Sequence, residues 1–490
     1  MNPDLTPPAA DASALESTPA SAAADTPPHL SFGQLPLAPA TLLNLQQLGY
    51  AQMTPIQAAS LPLSLAGHDL IAQAKTGSGK TAAFGLPLLT KLNPRNFAVQ
   101  ALVLCPTREL ADQVTQEIRR LARGADNIKV LTLCGGSPMR PQMSSLEHGA
   151  HVIVGTPGRI MDHLQRSSLD LTQLTTLVLD EADRMLDMGF YDDIACVAKA
   201  CPKERQTLLF SATYPESIAG LSRQFLRQPQ QVTLTEQHAE SKIRQRFYEV
   251  DNEEKFAAVV QLLNHYRPVS TLAFCNTREQ CRALVQVLQD AGFVALALHG
   301  ELEQRERDQV LIQFANRSCS VLVATDVAAR GLDIAQLEAV INVDITPDPE
   351  VHIHRIGRTG RVDQAGWAFS LVSGNQMGRV AELEKMQGVE FEWHSLNELK
   401  SVGGEPLQPP MTTLLILGGR KEKIRPGDIL GALTGEAGFT KEQIGKINVT
   451  ETSTYVAIER SIAREAHRKL SAGTIKGKRV KVHLLQNAVL

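Results

Sequence analysis

The chain has 490 residues, 43% hydrophobic and 21% charged, the balance of a globular protein with room for roughly three domains of about 150 residues. No apolar run approaches the ~18 residues of a membrane-spanning helix, and the first residues lack the basic and apolar regions of a secretory signal. Net charge is only −3, but residues 411–490 hold 14 Lys and Arg against 7 Asp and Glu, while the remainder holds 35 against 45. A basic tail is thus joined to an acidic body, and the near-neutral total does not exclude a nucleic-acid partner. The seven cysteines form no C-x-x-C pair, and an odd count without a signal fits a reducing cytoplasm.

Residues 1–30 contain eight Ala, six Pro, four acids and no Lys or Arg, a composition that predicts a disordered arm. From residue 31 to 236, short apolar runs alternate with helical patterns: Asp69–Ala74, Ala101–Cys105, His151–Gly155, Thr176–Leu179 and Thr207–Phe210. Several are apolar on both faces, as buried parallel strands are, so this region predicts a doubly wound α/β domain. A second series fills residues 237–400, with strands at Ser270–Cys275, Val294–Leu298, Ser320–Thr325, Ala339–Val343 and Trp367–Val372, and helices such as Arg278–Ala291 and Glu303–Ala315. A Pro/Gly-rich linker occupies 401–411. Residues 412–490 then predict strands at Thr413–Leu417, Thr454–Glu459 and Arg479–Leu485, with helices at Asp428–Gly435 and Ser461–Ala472. That order suggests a small α+β domain of the RNA-recognition-motif (RRM) type.

The loop Ala74–Thr81 (AKTGSGKT) follows a strand and opens a helix, the context of a P-loop. Gly77 and Gly79 let backbone N–H groups wrap phosphates, with Thr76 and Ser78 completing the loop. Lys80 brings charge to the terminal phosphates, and Thr81 offers a hydroxyl to Mg²⁺. Asp180-Glu-Ala-Asp183 ends an apolar strand, where a carboxylate can hold that metal beside a P-loop. Asp180 is the expected metal-linked group, through water or phosphate, and Glu181 the expected base for the attacking water.

The ordered set AKTGSGKT, PTRELA (Pro106–Ala111), TPGR (Thr156–Arg159), DEAD, SAT (Ser211–Thr213), ATDVAARGLD (Ala324–Asp333) and HRIGRTGR (His354–Arg361) resembles the DEAD-box RNA helicases. The likeness implies two tandem RecA-like domains with ATP in the cleft between them. Phe32 and the segment Gly49–Gln57 resemble the family's adenine-reading Q motif, with Gln57 presenting its amide to the base. The usual first P-loop glycine is Ala74 here, and Met53 stands where a proline is common. Further roles implied are ribose contact for Asp333, arginine fingers for Arg358 and Arg361, and coupling of nucleotide to RNA for Ser211, Thr213 and His354.

The same likeness assigns the RNA backbone to Pro106, Thr107, Arg108, Gly135, Gly136, Thr156, Gly158 and Arg159 in the first domain, and to Gln304, Arg307 and Thr325 in the second. Glycine N–H groups, hydroxyls and a few arginines suit phosphates and sugars without reading bases. Because a nucleotide can shift the open–closed equilibrium by only a few kcal/mol, the expected outcome is local separation of short duplexes.

In the tail, Lys421, Lys423, Arg425, Arg468, Lys476 and Lys478 are the candidate RNA contacts, on the strength of clustered charge. Leu415 occupies a usual aromatic position of the first strand and only Tyr455 remains of the later ones, so loops or a helix edge are better suited to RNA than the sheet. Leu430–Ile447 and Ala472–Leu485 resemble the tail of the DbpA subfamily. That resemblance implies a hairpin of large-subunit rRNA as partner and ribosome assembly as setting, for a monomeric enzyme. A non-catalytic ATP-dependent RNA clamp and a DNA translocase are the alternatives. The intact Lys80, Glu181 and arginine fingers disfavour the first, and the Q motif and RNA-like tail the second.

Overall fold

The computed structural model describes residues 31–74, 77–125, 127–213, 216–233, 243–329, 337–360, 366–399 and 405–485. The arm 1–30 and the candidate residues Thr76, Asp333 and Arg361 lie outside the described residues.

The first domain holds seven strands: β1 (Leu70–Gln73), β2 (Ala101–Leu104), β3 (Val130–Leu133), β4 (Val152–Gly155), β5 (Thr176–Leu179), β6 (Gln206–Ser211) and β7 (Gln230–Thr233). They form one sheet in the order β3-β4-β2-β5-β6-β1-β7, and every neighbouring pair is parallel. Successive side chains point to opposite faces, so both faces must be apolar when helices cover both. Along β2, Ala101 and Val103 enter one buried cluster and Leu102 and Leu104 the other.

The second domain repeats the plan with β8 (Ile243–Glu249), β9 (Thr271–Phe274), β10 (Ala295–Leu298), β11 (Val321–Ala324), β12 (Ala339–Asn342), β13 (Gly366–Val372) and β14 (Trp393–His394). Their order is β10-β11-β9-β12-β13-β8-β14, again all parallel. The two doubly wound domains expected from the alternating runs are therefore present. β8 was not anticipated: its IRQRFYE sequence has no continuous apolar run. It nevertheless lies between β13 and β14, because Arg244 and Arg246 stack over Trp367, at 5.2 and 5.0 Å from its ring centre. Cation–π contact lets a polar alternation sit inside a sheet.

The tail contains β15 (Met411–Ile416), β16 (Ile444–Val449), β17 (Thr454–Glu459) and β18 (Val482–Leu485), antiparallel in the order β16-β17-β15-β18. With helices at Pro426–Gly431 and Ala463–Ala472, this is the β-α-β-β-α-β sandwich the sequence suggested. β16 escaped the sequence reading because its residues are exposed or half-buried throughout.

One face of the tail sheet buries Leu414, Ile416, Val456 and Ile458 against its own helices. The other face carries Leu415, Tyr455 and Leu485, at most 3% exposed, packed against Ile312 of the second domain. Beside them Asn316 and Ser318 hydrogen-bond the buried Thr413 hydroxyl at 3.3 and 2.7 Å, and Met411 N–H donates to the Arg317 carbonyl. The tail is thus docked on the helix Gln304–Ala315 and the turn after it.

Candidate functional site

In parallel sheets, ligands bind at the C-terminal ends of the strands. β1 delivers the P-loop there, β2 Pro106–Arg108, β5 Asp180 and β6 Ser211–Thr213. Gly77 and Gly79 adopt φ of 81° and 92°, the left-handed region that favours glycine, and the helix Lys80–Thr90 starts immediately after. Space also demands Gly79: a Cβ there would lie 2.5 Å from Gln57 Nε2. Gln57 is buried, donating through Nε2 to the Gly79 carbonyl at 3.1 Å and accepting from Thr54 N–H at 2.9 Å. It therefore braces the P-loop and caps its own helix. Phe32 lies 4% exposed among Leu35, Leu37 and Leu45, edge-on to Tyr50.

Lys80 Nζ and Asp180 Oδ1 are both buried and have no hydrogen-bond partner. Burial pushes the Asp180 carboxyl up to about 7, opposed by Lys80 and reinforced by Glu181. A buried ammonium and a buried carboxylate oxygen without hydrogen bonds cost free energy unless a ligand satisfies them. Triphosphate oxygens and a divalent cation have the charges to do so. Glu181, 5% exposed, sits at φ 51° and ψ 52°, the left-handed conformation that costs a non-glycine residue about 1–3 kcal/mol.

Asp183, to which the sequence reading gave no role, is the hub behind these groups. Its Oδ2 accepts from Ala212 N–H, Thr213 N–H and the Thr213 hydroxyl at 3.0, 3.0 and 3.1 Å, while its own N–H donates to Ser211 Oγ at 3.3 Å. Burial opposes its ionisation, yet the Thr213 N–H and Lys80 hold its pKa below the usual carboxylate range. DEAD and SAT are joined through one carboxylate, a link that only the fourth letter of the tetrapeptide could have signalled.

The second domain meets this surface with the helix Pro349–Ile356. A recess is lined by Arg184 from the first domain and by Asp326, His354, Arg355 and Arg358 from the second. His354 senses Arg184, Asp183 and Lys80. Burial first, then Arg184, lowers its pKa to about 4, so it is neutral at pH 7. Arg355, also unmarked in the sequence reading, is 2% exposed and bound by both Asp326 oxygens at 2.6 Å. It anchors the helix that presents Arg358.

Of the RNA-groove candidates, Arg108, Gln304 and Arg307 stand where the two domains meet. Thr107 Oγ1 caps the helix Arg108–Leu121 by accepting from Leu110 N–H at 3.3 Å. Pro106 follows β2, and Thr156 precedes the helix Pro157–Gln165 that contains Gly158. Arg108 donates across the cleft to Gln304 Oε1 at 2.8 Å, and Arg307 pairs with Glu109 at 3.1 Å. Thr325 begins the turn after β11, its carbonyl accepting from Ala328 and Ala329. Gly136, at φ 70°, lies under the Arg108 guanidinium, where a Cβ would be 1.6 Å from Nη1.

Three family models match in series: a DEAD/DEAH box helicase domain over residues 54–221, a helicase conserved C-terminal domain over 254–363 and a DbpA RNA-binding domain over 413–484. The ATP-dependent RNA helicase DbpA of Escherichia coli K12 is 51% identical over 92% of this chain and 98% of its own. The chain belongs to the DEAD-box RNA helicases. The DEAD-box ATP-dependent RNA helicase CshA of Geobacillus kaustophilus is 43% identical over 72% of this chain and 76% of its own. Among solved structures, S. cerevisiae Dbp5 bound to RNA and ADP BeF3 superposes with a TM-score of 0.70 at 32% identity, covering 75% of this chain and 96% of that one.

The helicase is therefore an RNA-dependent ATPase with a DbpA-type RNA-binding domain at its C-terminus. In that domain Lys421, Lys423, Arg425, Arg468, Lys476 and Lys478 are all exposed. Lys423 and Lys476 both occupy the left-handed region, φ 60° and 54°. Lys476 Nζ donates to the Lys423 carbonyl at 2.8 Å and pairs with Asp428 at 3.2 Å, which ties the loop 417–425 to the turn 475–478. Arg468 stands on the outer face of the helix Ala463–Ala472. Among the described residues no helix is long and apolar enough to cross a membrane.

Proposed function

We propose that this helicase separates short duplexes locally in large-subunit rRNA during ribosome assembly, as a cytoplasmic monomer directed by its tail to an rRNA hairpin. The observation that carries the targeting is the disposition of the tail. Its sheet face, where bases would stack in an RNA-recognition fold, is buried against the second domain. Its paired basic loops remain in solvent. Lys421, Lys423, Arg425, Lys476, Lys478 and Arg468 then bind the phosphates of a folded RNA. The test is competition by rRNA fragments and generic RNA for ATPase stimulation. Triple replacement of Lys421, Lys423 and Lys476 by Ala is expected to erase the rRNA preference and spare stimulation by generic RNA. Unchanged preference would remove the tail loops as the selector.

At the nucleotide site, the residues present fit Mg²⁺-ATP, because Lys80 Nζ and Asp180 Oδ1 are buried orphans of opposite charge. Thr81 and Asp180 would hold the metal, directly or through water, and bound Mg²⁺ supplies charge neutralisation for the phosphates. Thr76 through Lys80 cradle the phosphates, Asp333 takes the ribose, and Gln57 with Phe32 forms the adenine side. Glu181 accepts the proton of the attacking water, while Arg358 and Arg361 stabilise the charge on the transferred phosphoryl group. Ser211 and Thr213, held by Asp183, carry the nucleotide state to the groove, and His354 completes the link from the second domain.

The groove residues Pro106, Thr107, Arg108, Gly135, Gly136, Thr156, Gly158, Arg159, Gln304, Arg307 and Thr325 grip one RNA strand by its backbone. Closing the cleft aligns both halves of this surface and brings the arginines to ATP, so hydrolysis depends on RNA.

A further inference from the structure

The helix Met139–Glu147 follows the Gly135–Gly136 loop, and its one buried residue is a glutamine, Gln142. A surface helix usually buries an apolar stripe. A lone buried amide calls for a specific reason, since it is costly unless both its ends are bonded. Gln142 Nε2 donates to the carbonyl of Cys134, the residue directly before Gly135, at 3.0 Å. Its Oε1 meets Nε2 of His163 at 3.0 Å, in the last turn of the helix Pro157–Gln165.

These contacts fix the chemistry of His163, which is fully buried. With the glutamine nitrogen facing a carbonyl, its oxygen faces the imidazole, so Nε2 must carry the proton. Nδ1 then faces the Ser168 hydroxyl at 2.8 Å, which shares its proton between Nδ1 and the His163 carbonyl at 3.1 Å. Burial, with Arg159 and Arg166 close by, keeps His163 below its usual pKa and hence neutral. A second tie runs parallel on the surface, where Arg159 Nη1 donates to the Ser137 carbonyl at 2.9 Å. The loop and the helix Pro157–Gln165 are thus tied together from inside, at the last turn of the helix, by Gln142 and His163, and from outside, at its start, by Arg159.

We propose that Gln142 and His163 are positioning residues for RNA, holding the Gly135–Gly136 loop in register with the N-terminus of the helix Pro157–Gln165. Neither touches the strand. Both act through the Cys134 carbonyl, which shares its peptide plane with the Gly135 N–H and so sets where that group points. The inference rests on the reading that this loop and Arg159 grip the RNA backbone.

The full-length protein is tested by ATPase titration with single-stranded RNA, reading KM for RNA, KM for ATP and kcat separately, with melting temperature alongside. Gln142→Met and His163→Phe keep the volume and remove the relay. Each is expected to raise KM for RNA about tenfold, equal to about 1.4 kcal/mol, with KM for ATP and kcat at saturating RNA close to wild type. His163→Gln restores a donor towards Gln142 and is expected to recover most of the affinity. Wild-type RNA affinity in folded Gln142→Met and His163→Phe would overturn the proposal. So would a loss that falls equally on ATP, or a loss that His163→Gln does not recover. Arg159→Ala separates the underlying reading: if it leaves KM for RNA unchanged, Arg159 does not grip the RNA and the reading on which the proposal rests fails at that residue.

Discussion

In the cleft, Lys80, Asp180 and Glu181 are each at most 6% exposed, whereas Lys421, Lys423, Lys476 and Lys478 of the tail stand in solvent. The cleft concentrates cost: an ammonium without a hydrogen bond, a carboxyl raised to about 7 with one oxygen unbonded, and a glutamate at positive φ. The tail keeps its charges hydrated and uses its apolar sheet face for docking. Buried, preorganised groups suit a transition state whose charge must be met without reorganisation. Hydrated charges on loops suit a folded RNA bound through counterion release. Each region can therefore be broken separately, and the expected effects differ by orders of magnitude.

Arg358→Ala should have the largest effect. An arginine finger is worth roughly 10³–10⁵ in rate, so RNA-stimulated kcat should collapse by that order while RNA binding by the tail persists. Steady-state ATPase and tail-dependent RNA binding measure the two halves. Loss of both together would show that the cleft and the tail are not separable. Glu181→Gln should follow, lowering kcat by about 10²–10⁴ with nucleotide affinity retained. Normal turnover would remove Glu181 as the base.

The P-loop and the Asp180–Glu181 pair stood out in the sequence because phosphoryl transfer demands few residue types at fixed positions, whereas Arg358 was reached only through the family resemblance. A glycine loop after one strand and a carboxylate at the end of another leave little freedom. The paired runs that gave both α/β domains were legible for a similar reason, since strands buried on both faces must be apolar throughout. What stayed hidden depends on contacts between distant segments. Asp183 is an ordinary acid until Ala212 and Thr213 are folded against it, and Arg355 an ordinary charge until Asp326 meets it. Leu415 and Tyr455 showed what the sheet lacks for stacking, but not that the helix Gln304–Ala315 covers it. β8 and β16 were missed because each alternates or is half-exposed, a pattern shared with loops.

Acid should unsettle the second domain through a group outside the active chemistry. His352 is fully buried against Phe247, and neither ring nitrogen has a hydrogen-bond partner. Burial, then Arg355, lowers its pKa to about 3. The unfolded chain takes up the proton near pH 6.5 and the folded one only near 3, so stability is complete above about pH 6.5. It falls by about 1.4 kcal/mol per pH unit below that, or about 2 kcal/mol by pH 5. His354 acts in the same sense, so the comparison must be made against a variant. Denaturant titrations of wild type and His352→Phe at pH 7.5 and 5 should show a smaller acid loss in the variant. Equal losses would assign the acid sensitivity elsewhere.

Two smaller effects address the tail. Thr413→Val keeps shape but leaves Asn316 and Ser318 facing a methyl group, at a cost of about 1–3 kcal/mol. If docking is cooperative with the second domain, thermal unfolding of the tail should shift down or separate from that of the lobes, with kcat unchanged. A single transition with an unchanged midpoint would mean the docked face contributes little.

The finest test concerns Lys476, whose ammonium is already engaged by the Lys423 carbonyl and by Asp428. If it also meets a phosphate, Lys476→Ala should reduce the salt slope of hairpin binding by about 1. If it only ties the two loops together, affinity should drop equally at low and high salt, because the lost term is geometric and not ionic. Lys478, on the same turn but without a tie to the other loop among the described residues, is the matched control: Lys478→Ala should change the slope alone. Opposite signatures for these two lysines would separate the charge that binds RNA from the charge that shapes the surface binding it.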